Sequence, residues 1–219
     1  MSDSDKKGFL DRIMSEADDS AHPFLQKIQD NIKIIALVVG TVLFLAAAYT
    51  LNTFWQERQI TRANAEFEAI LAQQDPDTRI RELETFLDKA PDRLKGAIFL
   101  EKARTSMNVE DFSRAADNFG HLGRIDRDMR PVALLGRAKA YELMEEHDQA
   151  LRILQEEAAA IPDEFLAQYL TLLSFNAERA GNYQIALDAY ERLKDEAQGA
   201  DVGFIDYKIE TLRQKLSSE

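Results

Sequence analysis

The sequence predicts an all-α protein: one N-terminal transmembrane helix followed by a solenoid of helical hairpins. Three observations carry that expectation. Residues 34–55 form a run of 22 without a single charge. Beyond them apolar residues recur at helical spacing, and no segment alternates polar and apolar long enough to make a strand. The downstream helices also come in pairs, and the pairs repeat with spacings of 35 and 36 residues.

The elements follow in order. Residues 1–33 carry 5 bases and 7 acids and open with the disorder-prone MSDSDKKG. Phe9, Leu10, Ile13 and Met14 share one helical face. So do Phe24, Leu25, Ile28 and Ile32, after Pro23 has set a start. Such patches fit a surface helix that docks a membrane partner, or a plain helix start lying on lipid.

The apolar run reads IIALVVGTVLFLAAAYTLNTFW, Ile34 to Trp55. About 20 apolar residues, at ~1.5 Å each, cross a hydrocarbon core of ~30 Å. A core helix of a soluble domain would carry a polar stripe, and this run has none. Ala46-Ala47-Ala48 resembles a processing site. A secretory n-region, however, is short and basic, and this one is long and acidic. The run also continues to Phe54 and Trp55, which suit an interfacial aromatic belt. The expectation is an uncleaved signal anchor. Its near flanks do not orient it: Lys27 and Lys33 stand against Arg58 and Arg62. Counting Lys6, Lys7 and Arg12 favours a cytoplasmic N-terminus weakly.

Residues 56–219 form the expected domain, with 22 bases and 32 acids of a chain whose net charge is −12. That acidity argues against nucleic acid and against anionic lipid heads; its plain role is solubility. With no cysteine, disulfides, thiol catalysis and Cys-ligated metals are excluded. The stretch 56–73 favours helix, with Ala65, Phe67, Ile70 and Leu71 on one face, so the anchor is expected to continue into the domain. Asp75-Pro76 starts a helix through Ala90, and Pro91 another to about Met107. Asn108 to Asp111 is a turn whose Asp111 suits a helix cap. A helix to Gly120 precedes a looser segment, GHLGRIDRDMRP. Helices are then expected near 131–144, 147–160, 163–180, 184–197 and 204–216.

The second helices of three pairs align as EDFSRAADNF, EHDQALRIL and GNYQIALDAY. Ala115, Ala150 and Ala186 coincide; so do Phe119, Leu154 and Tyr190, four residues on. Alanine lets paired helices approach, and the large residue one turn later fills the groove to the next pair. This skeleton resembles the tetratricopeptide repeat. The fullest copy, Pro131 to Pro162, has Leu134, Ala138, Tyr141, Ala150 and Leu154, and departs at Arg137, where leucine is usual. The pairs 96–127 and 167–198 keep Phe99, Ala103 and Leu170, Ser174 but lack the closing proline. The pair 61–91 is degenerate or a cap, and the helix at 204–216 would cover the end of the stack.

An acidic tail, one anchor ending in Trp55 and degenerate repeats closed by a helix together resemble the YfgM-like ancillary subunits of the SecYEG translocon. The stretch RELETFLDKAPDRLKGAIFLEKARTSMNVEDFSRAADNFGHL carries most of the likeness. The resemblance implies a single-pass bacterial inner-membrane protein with a cytoplasmic N-terminus and a periplasmic helical domain. It also implies association with the translocon and with periplasmic chaperones.

No catalytic motif stands out, no cofactor is expected, and the expectation is a protein that is not an enzyme. His22, His121 and His147 make no zinc pattern, with His121 placed in a loop. Glu145-Glu146-His147-Asp148 could hold a metal weakly, but reads as a solvated turn capping the next helix. Gly120-x-x-Gly123 and Gly199 to Gly203 lack the Lys-Ser/Thr of a phosphate loop and read as loops. In a curved stack the first helix of each pair lines the concave face. The residues expected there are Leu100, Arg104 and Met107, then Leu135, Lys139 and Glu142, then Thr171, Phe175 and Glu178. Arg104 and Lys139 are placed to clamp a carboxylate, and Met107 and Phe175 to hold apolar side chains; the same residues also fit as ordinary groove positions. The function expected is a non-catalytic, membrane-anchored interaction module. A structural scaffold for another cell-envelope machine, such as pilus assembly or envelope constriction, is the competing class.

Overall fold

A computed structural model describes residues 32–197 and 202–218, and all regular structure among them is helical. The two amphipathic patches of the tail, except Ile32, and most of the 199–203 glycine segment lie outside the described residues. Helix α1 is Ile32–Leu71, α2 Pro76–Leu87, α3 Asp92–Asn108, α4 Phe112–Ile125 and α5 Arg130–Leu143. Helix α6, His147–Glu156, is followed by a short 3₁₀ turn, and then come α7, Asp163–Arg179, α8, Tyr183–Glu196, and α9, Gly203–Ser218. The chain divides into two compact units, Met1–Gln59 and Ile60–Glu219.

In the first unit the large apolar side chains of the run from Leu37 to Trp55 are open. Leu37 is 70% exposed and Phe44 72%. This is the one helix among the described residues long and apolar enough to cross a membrane. Its threonines turn their hydroxyls back onto the helix. Thr41 donates to the Leu37 carbonyl at 2.7 Å and Thr53 to the Tyr49 carbonyl at 3.1 Å. That satisfies each hydroxyl without water. At the end of the run Arg58 lies over the Phe54 ring, 4.5 Å from its centre.

The second unit is a stack in which each helix from α2 to α9 packs on the next. The end of α1 begins it: Ala63 and Ile70 pack with Leu83 and Phe86 of α2 and Ile98 of α3. Helix α2 starts where Asp75 accepts a bond from the Thr78 amide at 2.9 Å and Pro76 takes the first turn. Those hydrogen bonds hold the Asp75 carboxyl below its ordinary value.

The aligned repeat positions are the buried ones. Ala115, Ala150, Ala186, Ala103, Ala138, Ser174 and Leu154 are fully buried, and Phe119 and Tyr190 nearly so. Each large side chain removed from water in this way contributes roughly 1.5–3 kcal/mol. Helix α9 closes the stack by burying Ile209 and Leu212 against the α7–α8 pair.

The three turns inside the pairs share one geometry. Asp111 N–H bonds to the Ser106 carbonyl, Glu146 to Tyr141 and Asn182 to Ala177, at 2.9, 2.9 and 2.8 Å. The residue before each, Glu110, Glu145 or Gly181, has a positive φ of 61°, 61° or 77°. These are Schellman ends. Asp111 also caps α4, accepting from the Arg114 amide at 3.1 Å.

One expectation fails locally. The sequence puts Gly120, His121 and Gly123 in loops, yet α4 runs through all of them to Ile125. A glycine in a helix costs about 1 kcal/mol against alanine, but here close packing offsets it. A side chain at Gly123 would come within 3.3 Å of Ala133 on α5. At Gly136 on α5 it would run into the Phe119 ring at 2.5 Å. The small residues let α4 and α5 meet.

Candidate functional site

The first helices of the pairs, α3, α5 and α7, present side chains to a common groove of about 410 Å³. Five of the nine expected residues line it: Leu100, Arg104, Met107, Leu135 and Lys139. Phe119 forms part of its lining, and Phe165 and Gln168 enter from α7. On α5 the groove takes Val132, Leu135, Gly136 and Lys139, a single stripe at spacings of three and four. The site therefore has an apolar wall and two cations at its edge.

The cations differ. Arg104 is exposed, and among the described residues no hydrogen bond or ion pair holds it. Lys139 is already paired with Glu142 on its own helix. A ligand carboxylate would meet Arg104 directly but would have to displace Glu142 from Lys139. The clamp foreseen for the two is thus half occupied from within.

The other four expected residues do not line this groove. Glu142 accepts from the Asn176 amide at 3.0 Å. Thr171 is exposed and donates to the Ala167 carbonyl at 2.8 Å on its own helix. Phe175 meets His147 edge-on, with ring centres 5.8 Å apart. Glu178 is held by Lys208 of α9 at 2.7 Å and accepts weakly from the Tyr190 hydroxyl at 3.4 Å. Burial first, then the Glu178 charge, pushes the Tyr190 phenol up to about 12.

His147 is not the solvated turn residue expected. It is half-buried, and its Nδ1 lies 3.0 Å from Oδ1 of the fully buried Asn176. Asn176 Nδ2 also donates to the Leu172 carbonyl at 2.8 Å. Lys139, Glu142, Asn176 and His147 thus form one chain of polar contacts joining α5, α6 and α7. The only sequence signal for it was an asparagine inside the apolar stretch TLLSFNAER, where an amide needs partners. Among the described residues no group of three or more His, Asp and Glu side chains could hold a metal ion.

The sequence matches the tetratricopeptide repeat-like domain over residues 28–214, which takes in the apolar run as well as the stack. The chain belongs to that family. No curated protein matches it. Among solved structures, MamA (41-end) from Desulfovibrio magneticus RS-1 is similar at 14% identity and TM-score 0.53, covering 73% of this chain and 92% of that one. The MamA RS-1 ArsTM double mutant gives 14% and 0.52, with 74% and 98% covered. The Sgt2 TPR domain from Aspergillus fumigatus gives 19% and 0.46, with 56% and 79% covered. Likeness to MamA at that identity shows the fold alone. No enzymatic family is indicated.

Proposed function

We propose that this tetratricopeptide repeat-like protein is a membrane-anchored, non-catalytic interaction module whose groove between α3, α5 and α7 takes a segment of a partner protein. The observation that carries the reading is the groove itself. An apolar wall of Leu100, Met107, Leu135 and Phe165 stands beside the guanidinium of Arg104, which has no ion-pair partner among the described residues. That pairing of apolar surface with an exposed cation suits a segment with an apolar side chain next to a carboxylate. The run from Ile34 to Trp55 serves as the anchor, and it acts by raising local concentration near a membrane partner.

The resemblance to YfgM-like subunits gives the reading its finer form. In that form the N-terminus is cytoplasmic, the domain is periplasmic, and the partners are the SecYEG translocon and periplasmic chaperones. A topology reporter fused after Glu219 tests the orientation: a periplasm-active reporter is expected, and a cytoplasm-active one sinks it. Photocrosslinkers at Leu100 and Thr171, with captured proteins identified, test the groove. Capture at Leu100 alone supports it, whereas equal capture at Thr171 removes the groove as the site. Arg104→Glu with Lys139→Glu is expected to abolish that capture while the domain stays folded.

A further inference from the structure

Helix α5 has a second stripe. Arg130, Ala133, Leu134 and Arg137 follow the same three-and-four spacing as the groove residues, two positions out of phase, and so face elsewhere. They form one wall of a cleft of about 360 Å³. Phe119, Gly120, Gly123 and Arg124 of α4 form the other, with Arg127 and Glu157 at the rim. Four arginines and one glutamate line this cleft, in a chain with net charge −12.

The arginines are incompletely satisfied. Arg137 stands where the repeat usually has leucine. Its Nη2 reaches the Tyr141 hydroxyl only at 3.4 Å, and its Nε is buried without a partner. Arg124 donates to His121 Nδ1 at 3.0 Å, a neutral acceptor, since burial and the Arg124 charge hold that imidazole below its ordinary value. Arg127 is exposed and, among the described residues, no side-chain partner holds it. Of the four, only Arg130 has a carboxylate among the described residues, Glu157, at 2.8 Å. A buried guanidinium donor left unmatched is costly unless something completes it.

We propose that this cleft is a second binding site, distinct from the groove, and that it receives the carboxylates of an acidic polypeptide segment. The planar fork of arginine matches a carboxylate in two bonds. Glu157 on Arg130 already shows the chemistry from within the chain. Extent favours a polypeptide over a small anion. Arg130 and Arg137 stand seven residues apart on α5, about 10 Å, which is the length of roughly three extended residues. Phe119, Ala133 and Leu134 give the floor apolar surface for the rest of such a segment.

The test uses the full chain in detergent and fluorescence anisotropy of a labelled ten-residue Asp/Glu peptide, with its Asn/Gln twin as control. The acidic peptide is expected to bind with strong salt dependence, and the twin is not. Arg127→Glu is expected to weaken binding by about tenfold or more. Arg137→Leu, which supplies the usual repeat residue, is expected to weaken it while the thermal melt holds. Glu157→Gln is expected to tighten it several-fold by releasing Arg130, a gain that a structural salt bridge would not give. Arg104→Glu, in the groove, is expected to leave it unchanged. Equal binding of the twin, or indifference to both Arg127→Glu and Arg137→Leu, overturns the site. Equal loss in Arg104→Glu overturns its location. Inorganic pyrophosphate displacing the peptide with an affinity equal to the peptide's own overturns the polypeptide assignment in favour of a small anion.

Discussion

The apolar run of α1 and the repeat helices use the same residue types with opposite results. Leu37 and Phe44 are 70% and 72% exposed, while Leu154 and Leu170 are fully buried. In the repeats each apolar face meets another at the next pair, so the chain supplies its own cover. Around the run the described residues supply none: the most apolar 18-residue window is 0% buried. The difference teaches where the cover must come from. A contiguous apolar surface of this size marks a membrane or a partner. Thr41, Thr50 and Thr53 all bond within their own helix, which is the arrangement a lipid setting demands.

The sharpest way to break this contrast is to charge the run. Val42→Arg with Leu45→Arg places two cations near its middle. Each costs roughly 2.5–3.5 kcal/mol at the centre of a spanning helix, so about 6 kcal/mol together. The expected outcome is loss from the alkali-resistant membrane fraction, with the melt of the repeat domain unchanged. A protein that stays membrane-integral would mean the run is not the span. The converse change is Leu154→Ala, which empties a fully buried site in the largest core cluster. It is expected to lower domain stability by about 2–5 kcal/mol in urea titration and leave membrane retention alone. If both changes affect both readouts, the two regions are not independent.

The same contrast explains what was legible in the sequence. The run was visible because absence of charge over 22 residues needs no partner to interpret. The repeat skeleton was visible because Ala115, Ala150 and Ala186 recur at a fixed period and their burial is a one-dimensional pattern. Interactions between repeats were not. Glu178 read as groove-facing until Lys208, 30 residues on, took it. His147 read as solvated because Asn176, 29 residues away, does not announce itself. Gly120 and Gly123 read as loop because glycine disfavours helix, and the reason for Gly123 lies on the facing helix at Ala133. Of the nine expected groove residues, the five on α3 and the first three turns of α5 came together, while Glu142, Thr171, Phe175 and Glu178 found partners elsewhere.

A third test probes the end of the stack, where burial and charge act together. Tyr190 is nearly buried beside Glu178, and its phenol sits at about 12 against an ordinary value near 10. A raised value means the fold favours the neutral phenol. Its contribution is therefore complete below pH ~10 and lost as pH rises toward 12. Between pH 9 and 12 the wild type is expected to lose roughly 2 kcal/mol more than Tyr190→Phe, which keeps the ring and cannot ionise. Parallel curves for the two would remove Glu178 and burial as the cause.

The smallest test lies in the three Schellman turns, which share a backbone but not a residue. Gly181 adopts φ 77° freely, whereas Glu110 and Glu145 hold φ 61° with a Cβ that disfavours it. The repeat thus has one relaxed turn and two strained ones at equivalent places. Glu110→Gly and Glu145→Gly should each relieve that strain. The greater freedom of glycine in the unfolded chain offsets part of the gain. The net expectation is a stabilisation of about 0.5–1 kcal/mol for each, additive because the turns lie in different pairs. Gly181→Ala should cost about 1 kcal/mol by the same argument run backwards. Both glutamates are exposed, and no side-chain contact among the described residues anchors either one. A destabilising Glu→Gly change at either turn would therefore mean that the carboxylate, and not the backbone, is what that position keeps.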